Sequence, residues 1–156
     1  MTPARRPGMN PVDRLIALED LRLLKARYFR FLDSKQWAEW LELFEPDFVG
    51  DFDHDAPGLV YRGREAFVSA IREALGPALT LHHGHQPELE VLGPDTARGI
   101  WTMQDWLYWP EGGNTVGVTG IRSLLGWGHY HETYRKTNGH WRISTLKLTR
   151  MHRVTS

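Results

Sequence analysis

The periodicity of the apolar residues changes near residue 80, and this change constrains the fold more than any other feature. Before it, three segments repeat apolar residues at helical spacing. After it, long segments alternate and are joined by turn sequences such as GPDT and Asn138-Gly139. Helices followed by hairpin-linked strands indicate an α+β domain with the helices on one face of an antiparallel sheet. We interpret residues 1–10 as a flexible leader and 11–152 as one domain.

Capping residues and apolar spacing predict three helices. The first begins after Asn10, a favoured N-cap residue, and runs to about Leu32. A short second helix follows Ser34 and ends at Pro46, because proline cannot continue a helix. The third helix occupies GREAFVSAIREALG and ends at Gly76.

Two further segments complete the predicted topology. The stretch FVGDFDHDAPGLVYRG predicts two short strands around a loop. The glycine-rich stretch PEGGNTVGVTG, at 110–120, is predicted to be a mobile loop between two long strands.

Composition and charge argue against several classes of protein. The formal net charge is zero and the isoelectric point is about 7.1, so there is no excess charge for nucleic acid or an anionic membrane. Cysteine is absent, which excludes disulfides and thiol chemistry. No apolar run approaches the roughly 18 residues of a membrane helix. We therefore expect a cytoplasmic protein that binds neither nucleic acid nor a membrane.

Histidines are concentrated in the segment LHHGHQPELEVL, which holds His82, His83 and His85. A second pair, His129 and His131, has the same alternate spacing as His83 and His85. Two such pairs on adjacent strands could in principle bind a metal, but a zinc site needs three or four converging ligands. We favour proton transfer, for which one imidazole, a carboxylate and a second polar donor suffice, and we predict no metal.

Hairpin register decides which histidine faces the interior. An even loop at GPDT pairs Leu92 with Ala97 and places His82 on the same face as Asp105. An odd loop, or a bulge near Pro87, would place His83 and His85 there instead. A carboxylate among apolar residues needs a partner, and a histidine is suited to that role. The residues alone leave the two registers open.

The end of the first helix supplies two more candidate residues. Tyr28 lies near the apolar stripe of the helix, so its hydroxyl can point into the interior. Asp33 follows the last helical turn, where an aspartate is commonly a solvated turn residue or the N-cap of the next helix. Both remain candidates for a functional site.

Three segments resemble the SnoaL-like branch of the nuclear transport factor 2-like superfamily. They are YFRFLD at 28–33, HHGHQPE at 82–88 and TARGIWTMQD at 96–105. Within that branch the chain is similar to the bile-acid 7α-dehydratases and, more loosely, to the scytalone dehydratases. The resemblance implies a cone-shaped, curved antiparallel sheet that encloses an apolar pocket closed by helices.

The same resemblance implies a catalytic group and a reaction. The catalytic residues of the dehydratases correspond to Tyr28, Asp33, His82 and Asp105. They imply a lyase that removes water from a hydroxylated carbonyl compound of steroid or polyketide type by acid/base catalysis, without a cofactor. In this scheme His82 is the base, oriented by Asp105 or Asp33, and Tyr28 stabilises an enolate.

The expected pocket lining is mostly aromatic, with polar support. Candidates for substrate contact are His85, Trp37, Trp40, Phe67, Trp101, Met103, His129 and His131, with Trp106 as a further possible wall residue. Alternative functions are a ketosteroid-isomerase-like isomerase, a polyketide cyclase or a non-catalytic small-molecule-binding module. The exposed aromatics also predict a homodimer or homotrimer.

Overall fold

The computed structural model describes residues 9–115 and 117–156, so most of the predicted leader lies outside the described residues. Helix α1 spans Pro11–Asp33, and the Asn10 side chain accepts from the Asp13 amide as the predicted N-cap. Helix α2 spans Trp37–Leu41 and helix α3 spans Arg64–Leu75. None of these helices is long and apolar enough to cross a membrane.

Six strands form one curved sheet in the order β2-β1-β6-β5-β4-β3. Their bounds are β1 Phe44–Asp51, β2 Val60–Arg62, β3 Leu79–Gly93, β4 Thr96–Thr115, β5 Val118–Thr137 and β6 His140–Thr155. Neighbours pair antiparallel except β1 and β6, which run parallel. The α+β class predicted from the sequence is confirmed.

Two predicted boundaries are wrong. Helix α2 ends at Leu41, and Pro46 lies within β1, where the pairing with β6 is interrupted between Phe44 and Val49. The missing proline amide is tolerated at such an irregularity. The predicted loop at 110–120 instead continues β4 to Thr115 and begins β5 at Val118.

The inner face of the sheet and the helices enclose the core. Along β4, every second residue from Ala97 to Trp109 is buried, and the residues between them face outward. Helix α1 packs on β3 and β6, and α3 packs on β1, β2 and β4. The aromatic side chains of Trp40, Phe44, Phe48 and Phe67 fill the space between them with edge-on and tilted contacts.

The register of β3 against β4 contains two irregularities that act in the same direction. One lies between His85 and Glu88, where Gln86 has a φ of 33°, and the other lies between Val91 and Gly93. Each adds one residue to β3, so together they shift the pairing by two residues, and the side chains before the first irregularity keep the facing parity of an uninterrupted hairpin. As a result His82 lies directly opposite Asp105, where the even-loop prediction placed position 84.

Candidate active site

A narrow pocket of about 50 Å³ lies between the helices and the inner face of the sheet. Larger depressions elsewhere are open grooves on the surface. The pocket has a polar side and an apolar side. The polar side is formed by Tyr28, Asp55, His82, Asp105, Thr115, Tyr130 and Arg150. The apolar side is formed by Leu32, Trp40, Phe52, Phe67, Ile71, Leu75, Leu107, Leu124 and Leu148.

His82 is held by the carboxylate of Asp33 at two points. Its Nδ1 lies 2.6 Å from Asp33 Oδ1, and its backbone amide donates to Asp33 Oδ2 at 2.9 Å. An ionised carboxylate only accepts, so this contact assigns the hydrogen to Nδ1. Since His82 is 6% exposed and lines the pocket, Nε2 is the nitrogen that remains for a bound molecule.

Asp33 is held in turn by a short chain of polar groups. The hydroxyl of Thr80 donates to Asp33 Oδ1 at 2.9 Å, and Lys35 Nζ donates to the same hydroxyl at 2.8 Å. Burial lowers the pKa of Lys35, and the charge of Asp33 opposes that effect. The aspartate that ends α1 is therefore fixed against β3, and it fixes the imidazole.

Asp105 has a different partner, the guanidinium of Arg150. Both carboxylate oxygens accept from Arg150, from Nη1 and Nη2 at 2.8 Å each. Arg150 Nε also donates to Asp55 at 3.1 Å, so the arginine lies between two buried carboxylates. Burial lowers the pKa of Arg150, but the hydrogen bonds and charge of Asp105 outweigh it, so the pKa is raised and the charge is permanent.

A glycine makes the Asp105–Arg150 pair possible. Gly126 stands opposite Asp105 on β5, between β4 and β6. A Cβ at Gly126 would lie 2.2 Å from Arg150 Nη1 and 2.5 Å from Asp105 Oδ1. The bare backbone therefore leaves the space through which Arg150 reaches across β5.

Two phenols complete the polar side of the pocket. Tyr28 and Tyr130 are 3% and 4% exposed, and both line the cavity beside His82. Burial, followed by charge interactions with neighbouring acidic groups and each other, raises the pKa of Tyr28 well above 10. Burial is also the main cause of the raised pKa of Tyr130. Both phenols are thus protonated hydrogen-bond donors across the physiological pH range.

Taken together, these groups supply what proton transfer requires. They are an imidazole whose Nδ1 is held by a carboxylate, two protonated phenols and a guanidinium bound between two carboxylates. Electrostatic interactions among buried groups are stronger than those in water.

Comparison with known proteins identifies the family. The model of the SnoaL-like domain matches residues 13–147. The chain belongs to the SnoaL-like family. Probable cyclase FGR4 of Gibberella zeae is 26% identical over 136 residues, which cover 82% of this chain and 87% of the cyclase.

Solved structures confirm the fold of this SnoaL-like domain. A scytalone dehydratase-like protein of Novosphingobium aromaticivorans has a TM-score of 0.78 at 17% identity, with 94% and 92% of the two chains covered. The hexachlorocyclohexane dehydrochlorinase LinA-type3 of Novosphingobium barchaimii has a TM-score of 0.76 at 19% identity, with 94% of each chain covered. At these identities the likeness shows the nuclear transport factor 2-like fold and nothing finer.

The SnoaL-like domain brings some of the predicted site residues together. Tyr28, His82 and Asp105 line one pocket, and Asp33 contacts His82 from behind. Of the predicted aromatic walls, Trp40 and Phe67 line it. The open choice of carboxylate is resolved geometrically, because Asp33 is the one hydrogen-bonded to the imidazole.

Other predicted substrate-contact residues lie away from the pocket. Trp101 and Met103 are buried but do not line it, and Trp37 packs beside Trp40. Trp106 is 42% exposed on the outer face. His85, His129 and His131 occupy outward positions.

The two alternate histidine pairs do not converge on a metal. Thr102 of β4 stands between His85 of β3 and His129 of β5, so the pairs are separated by about two strand spacings, roughly 10 Å. Among residues 9–115 and 117–156, no group of three or more His, Cys, Asp or Glu side chains is placed to hold a metal ion.

Three pocket residues were not predicted from the sequence: Arg150, Asp55 and Tyr130. Arg150 continues the inward parity of Leu146 and Leu148 on β6, and a charge at such a position was a detectable signal. Tyr130 likewise lies on the inward parity of β5. Asp55 lies in the loop between β1 and β2, where no pattern distinguished it from a solvated residue.

Proposed function

We propose that this protein is a cofactor-independent dehydratase that removes water from a hydroxylated carbonyl compound by acid/base catalysis. The observation that carries the proposal is the buried His82, with Nδ1 bound to Asp33 and Nε2 left for the pocket. A carboxylate that holds the tautomer and stabilises the imidazolium is what a general base of this kind requires.

The first step is removal of a proton from the carbon next to the substrate carbonyl. Nε2 of His82 takes the proton, and the electron pair of the C–H bond moves to give an enolate. The imidazolium that forms keeps its Nδ1–H···Asp33 hydrogen bond, which becomes charge-assisted on both sides. Asp33 therefore stabilises the base most strongly when it is protonated.

In this scheme the enolate oxygen accepts hydrogen bonds from phenols on the pocket wall. Tyr28 and Tyr130 are neutral donors on its wall, and burial keeps their pKa values raised. Donors fixed in advance need no reorganisation as charge develops. Arg150 forms a hydrogen-bonded cluster with Asp105 and Asp55 on the same side of the pocket.

The second step expels the hydroxyl group from the adjacent carbon. The enolate electron pair re-forms the carbonyl and a carbon–carbon double bond, and the C–O bond breaks. His82 returns its proton to the departing oxygen, which leaves as water. The imidazole is then neutral again, so the cycle consumes no cofactor.

The pocket dimensions bear on the substrate. A cavity of about 50 Å³ accommodates only water-sized molecules, so an organic substrate must displace part of the wall. Phe52 and Asp55 belong to the segment around the β1–β2 loop, which the sheet holds through Asp55 and Arg150. We propose that this segment opens for an apolar substrate of steroid or polyketide type, which suits the apolar side of the pocket.

A second candidate function is polyketide cyclisation. It is favoured by the relative from Gibberella zeae, which is named as a cyclase. Cyclisation by aldol chemistry begins with the same proton removal, so His82 and Asp33 would have the same role. The two functions differ in whether the enolate expels hydroxide or attacks a second carbonyl.

The test is incubation of the purified protein with β-hydroxy ketones of steroid and polyketide type, followed by mass spectrometry and NMR of the products. Loss of water without ring closure supports the dehydratase, and ring closure supports the cyclase. An unchanged mass with a moved double bond would indicate an isomerase, and bound but unaltered ligand a binding module. His82→Gln must abolish conversion while His83→Gln leaves it intact; equal activity of His82→Gln and parent would remove His82 as the base.

We also propose that two or three copies associate through the outer face of β3–β6. Leu81, Trp106, Leu125 and Val154 form one registered row across these four strands. Leu81, Trp106 and Val154 are 47%, 42% and 51% exposed. The next row holds His83, Gln104, Trp127 and His152, so neither row carries a carboxylate, lysine or arginine.

A second copy of the same uncharged face meets this surface without like-charge repulsion. Sedimentation velocity should show a dimer or trimer that Trp106→Lys converts to a monomer. Val12→Lys, at an exposed apolar position on α1, should leave the assembly intact. A monomer at all concentrations of the parent protein would refute the proposal.

A further inference from the structure

A buried ion pair lies behind the pocket and outside it. Lys25 of α1 and Glu132 of β5 are in hydrogen-bond contact, and their side chains are 1% and 0% exposed. Neither residue lines the cavity. The pair therefore plays no part in the proton transfers proposed above.

Stability alone is a poor explanation for this pair. Removing two charges from water costs several kcal/mol per ion, and apolar residues of similar size are often as stabilising or more so. Burial lowers the pKa of Lys25, while the charge and hydrogen bond of Glu132 oppose that effect. A charged pair at this position thus calls for a role in specifying geometry.

The geometry connects the ammonium to the two pocket phenols. Lys25 Nζ lies over the ring of Tyr28, 3.8 Å from its centroid, and over the ring of Tyr130, 4.1 Å from its centroid. Cations are attracted to the faces of aromatic rings, most strongly where water is excluded. One ammonium thus contacts both of the rings whose hydroxyls serve the pocket.

The position of the ammonium is fixed from the sheet. Glu132 accepts from Lys25 with Oε1 and from the hydroxyl of Tyr134 with Oε2, at 2.5 Å. Trp101 Nε1 donates to the same hydroxyl at 2.8 Å. The chain of hydrogen bonds runs from β4 through β5 to α1, and its last member lies against the two phenol rings.

We infer that Lys25 is a positioning residue that, held by Glu132, fixes the rings of Tyr28 and Tyr130 so that their hydroxyls converge on the pocket. The pair couples the orientation of a helix residue and a sheet residue through a single charge. The catalytic consequence rests on the proposed function, in which these phenols stabilise the enolate. The structural part, the fixing of two rings, stands independently of any substrate.

The test uses the double variant Lys25→Met/Glu132→Gln, which removes both charges and keeps an acceptor for Tyr134. Tyrosine rings are labelled with ¹³C, and the signals of Tyr28 and Tyr130 are assigned with their phenylalanine variants. We expect these two signals to shift and their ring flips to become faster in the double variant. Tyr61 and Tyr108 contact neither charge and serve as internal controls.

A control variant removes another pair of a basic residue and a glutamate, on the surface. Arg98→Met/Glu90→Gln deletes a surface pair with 63% and 53% exposed side chains. It should leave all tyrosine signals unchanged. Signals of Tyr28 and Tyr130 that respond no more to the core double variant than those of Tyr61 and Tyr108 would overturn the inference.

The unchanged protein provides a measurement if the double variant does not fold. The ¹⁵N signal of Lys25 Nζ at pH 7 must be that of a protonated ammonium whose hydrogens exchange slowly. Its ε-methylene protons must be shifted by ring currents from the two tyrosines. A neutral amine or unshifted methylene signals would contradict the inference.

Measurement of kcat and KM separates a positioning role of Lys25 from a packing role. Where the protein converts a β-hydroxy ketone, the core double variant should lower kcat about 100-fold, the effect of misplacing a catalytic group, with little change in KM. An unchanged kcat alongside altered tyrosine signals would overturn the catalytic part of the inference. If the parent converts none of the substrates, the proposed function fails and the tyrosine signals alone decide the positioning role.

Discussion

The inner and outer faces of β3–β6 use similar residues for different purposes. On the inner face, His82, Asp105, Glu132 and Arg150 each have a charged side-chain partner at hydrogen-bond distance. On the outer face, His83 is one residue from His82, and its side chain has no hydrogen-bond partner among the described residues. Residue type alone therefore does not determine the role of a side chain in this sheet. The role depends on which face the strand parity gives the side chain and on whether a carboxylate binds it.

Replacement of the inner histidine should have the largest effect. We expect His82→Gln to lower kcat by about 10³-fold or more, because it removes the base and the acid of the same cycle. His83→Gln, on the outer face, should change kcat by less than about twofold, since it lies outside the pocket. The measurement is turnover of the β-hydroxy ketone identified by the substrate screen. Equal losses in both variants would break the comparison.

Loss of the inner arginine should be the largest effect on stability. Arg150→Met leaves Asp105 and Asp55 buried without their principal partner, which should reduce the free energy of unfolding by about 3–5 kcal/mol. The outer Arg98→Met removes an exposed pair and should cost less than about 1 kcal/mol. Urea unfolding measures both. A loss below 1 kcal/mol for Arg150→Met would show that Arg150 does not compensate the two carboxylates.

Removal of one inner hydroxyl should affect rate more than stability. Tyr28→Phe keeps the ring packing and deletes one donor to the enolate, so we expect kcat to fall by about 10²-fold. Tyr108→Phe, on the outer face beside Trp106, should leave kcat unchanged. A normal kcat for Tyr28→Phe would assign enolate stabilisation to other groups.

Raising the pH above 10 should lower the free energy of unfolding gradually, because the inner tyrosines are buried. Burial raises the pKa values of Tyr28, Tyr130 and Tyr134 above 10 in the folded protein. Above pH 10 the unfolded phenols lose protons that the folded ones retain, so their contribution to stability is complete below pH 10 and is lost as pH rises. Each contributes a slope of about 1.4 kcal/mol per pH unit.

The lowered pKa of Lys25 acts in the opposite direction, since its folded form releases the proton more readily, and this effect is confined to pH values below about 10.5.

Tyr134→Phe should reduce the fall in unfolding free energy above pH 10 by about 1.4 kcal/mol per pH unit, because it removes one of the buried phenols. Tyr108→Phe should leave the slope of the parent protein. The free energy of unfolding is measured by urea titration at several pH values, and a slope that Tyr134→Phe does not alter would contradict the assignment.

Local sequence signals predicted much of the fold. Asn10, Gly76 and Asn138-Gly139 mark the start of α1, the end of α3 and the β5–β6 turn, and the structure confirms all three. The prediction that α2 ends at Pro46 was wrong because a proline that would break a helix can also lie in an irregular strand. The segment at 110–120 misled because glycines common in loops also occur in long twisted hairpins.

The site was only partly predictable for a physical reason. An even hairpin loop predicted the shared face of His82 and Asp105, and an odd loop or a bulge predicted the opposite face. The shared face is present because two one-residue insertions in β3 together keep the parity, which no local pattern shows. The partners of these residues come from distant elements: Asp33 from the end of α1 and Arg150 from β6. Only the three-dimensional structure shows that Asp33 pairs with His82 and that Asp105 pairs with Arg150.

Among the three histidines of β3, only His82 is held by a carboxylate, Asp33, which fixes the tautomer that a general base needs. Long-range ¹H–¹⁵N NMR of the imidazoles at neutral pH tests it directly. We predict that His82 shows a protonated Nδ1 and an unprotonated Nε2, that His83 and His85 show averaged tautomers, and that Asp33→Asn abolishes the His82 pattern. A His82 ring that averages between tautomers like His83, or a pattern unaffected by Asp33→Asn, would contradict the account.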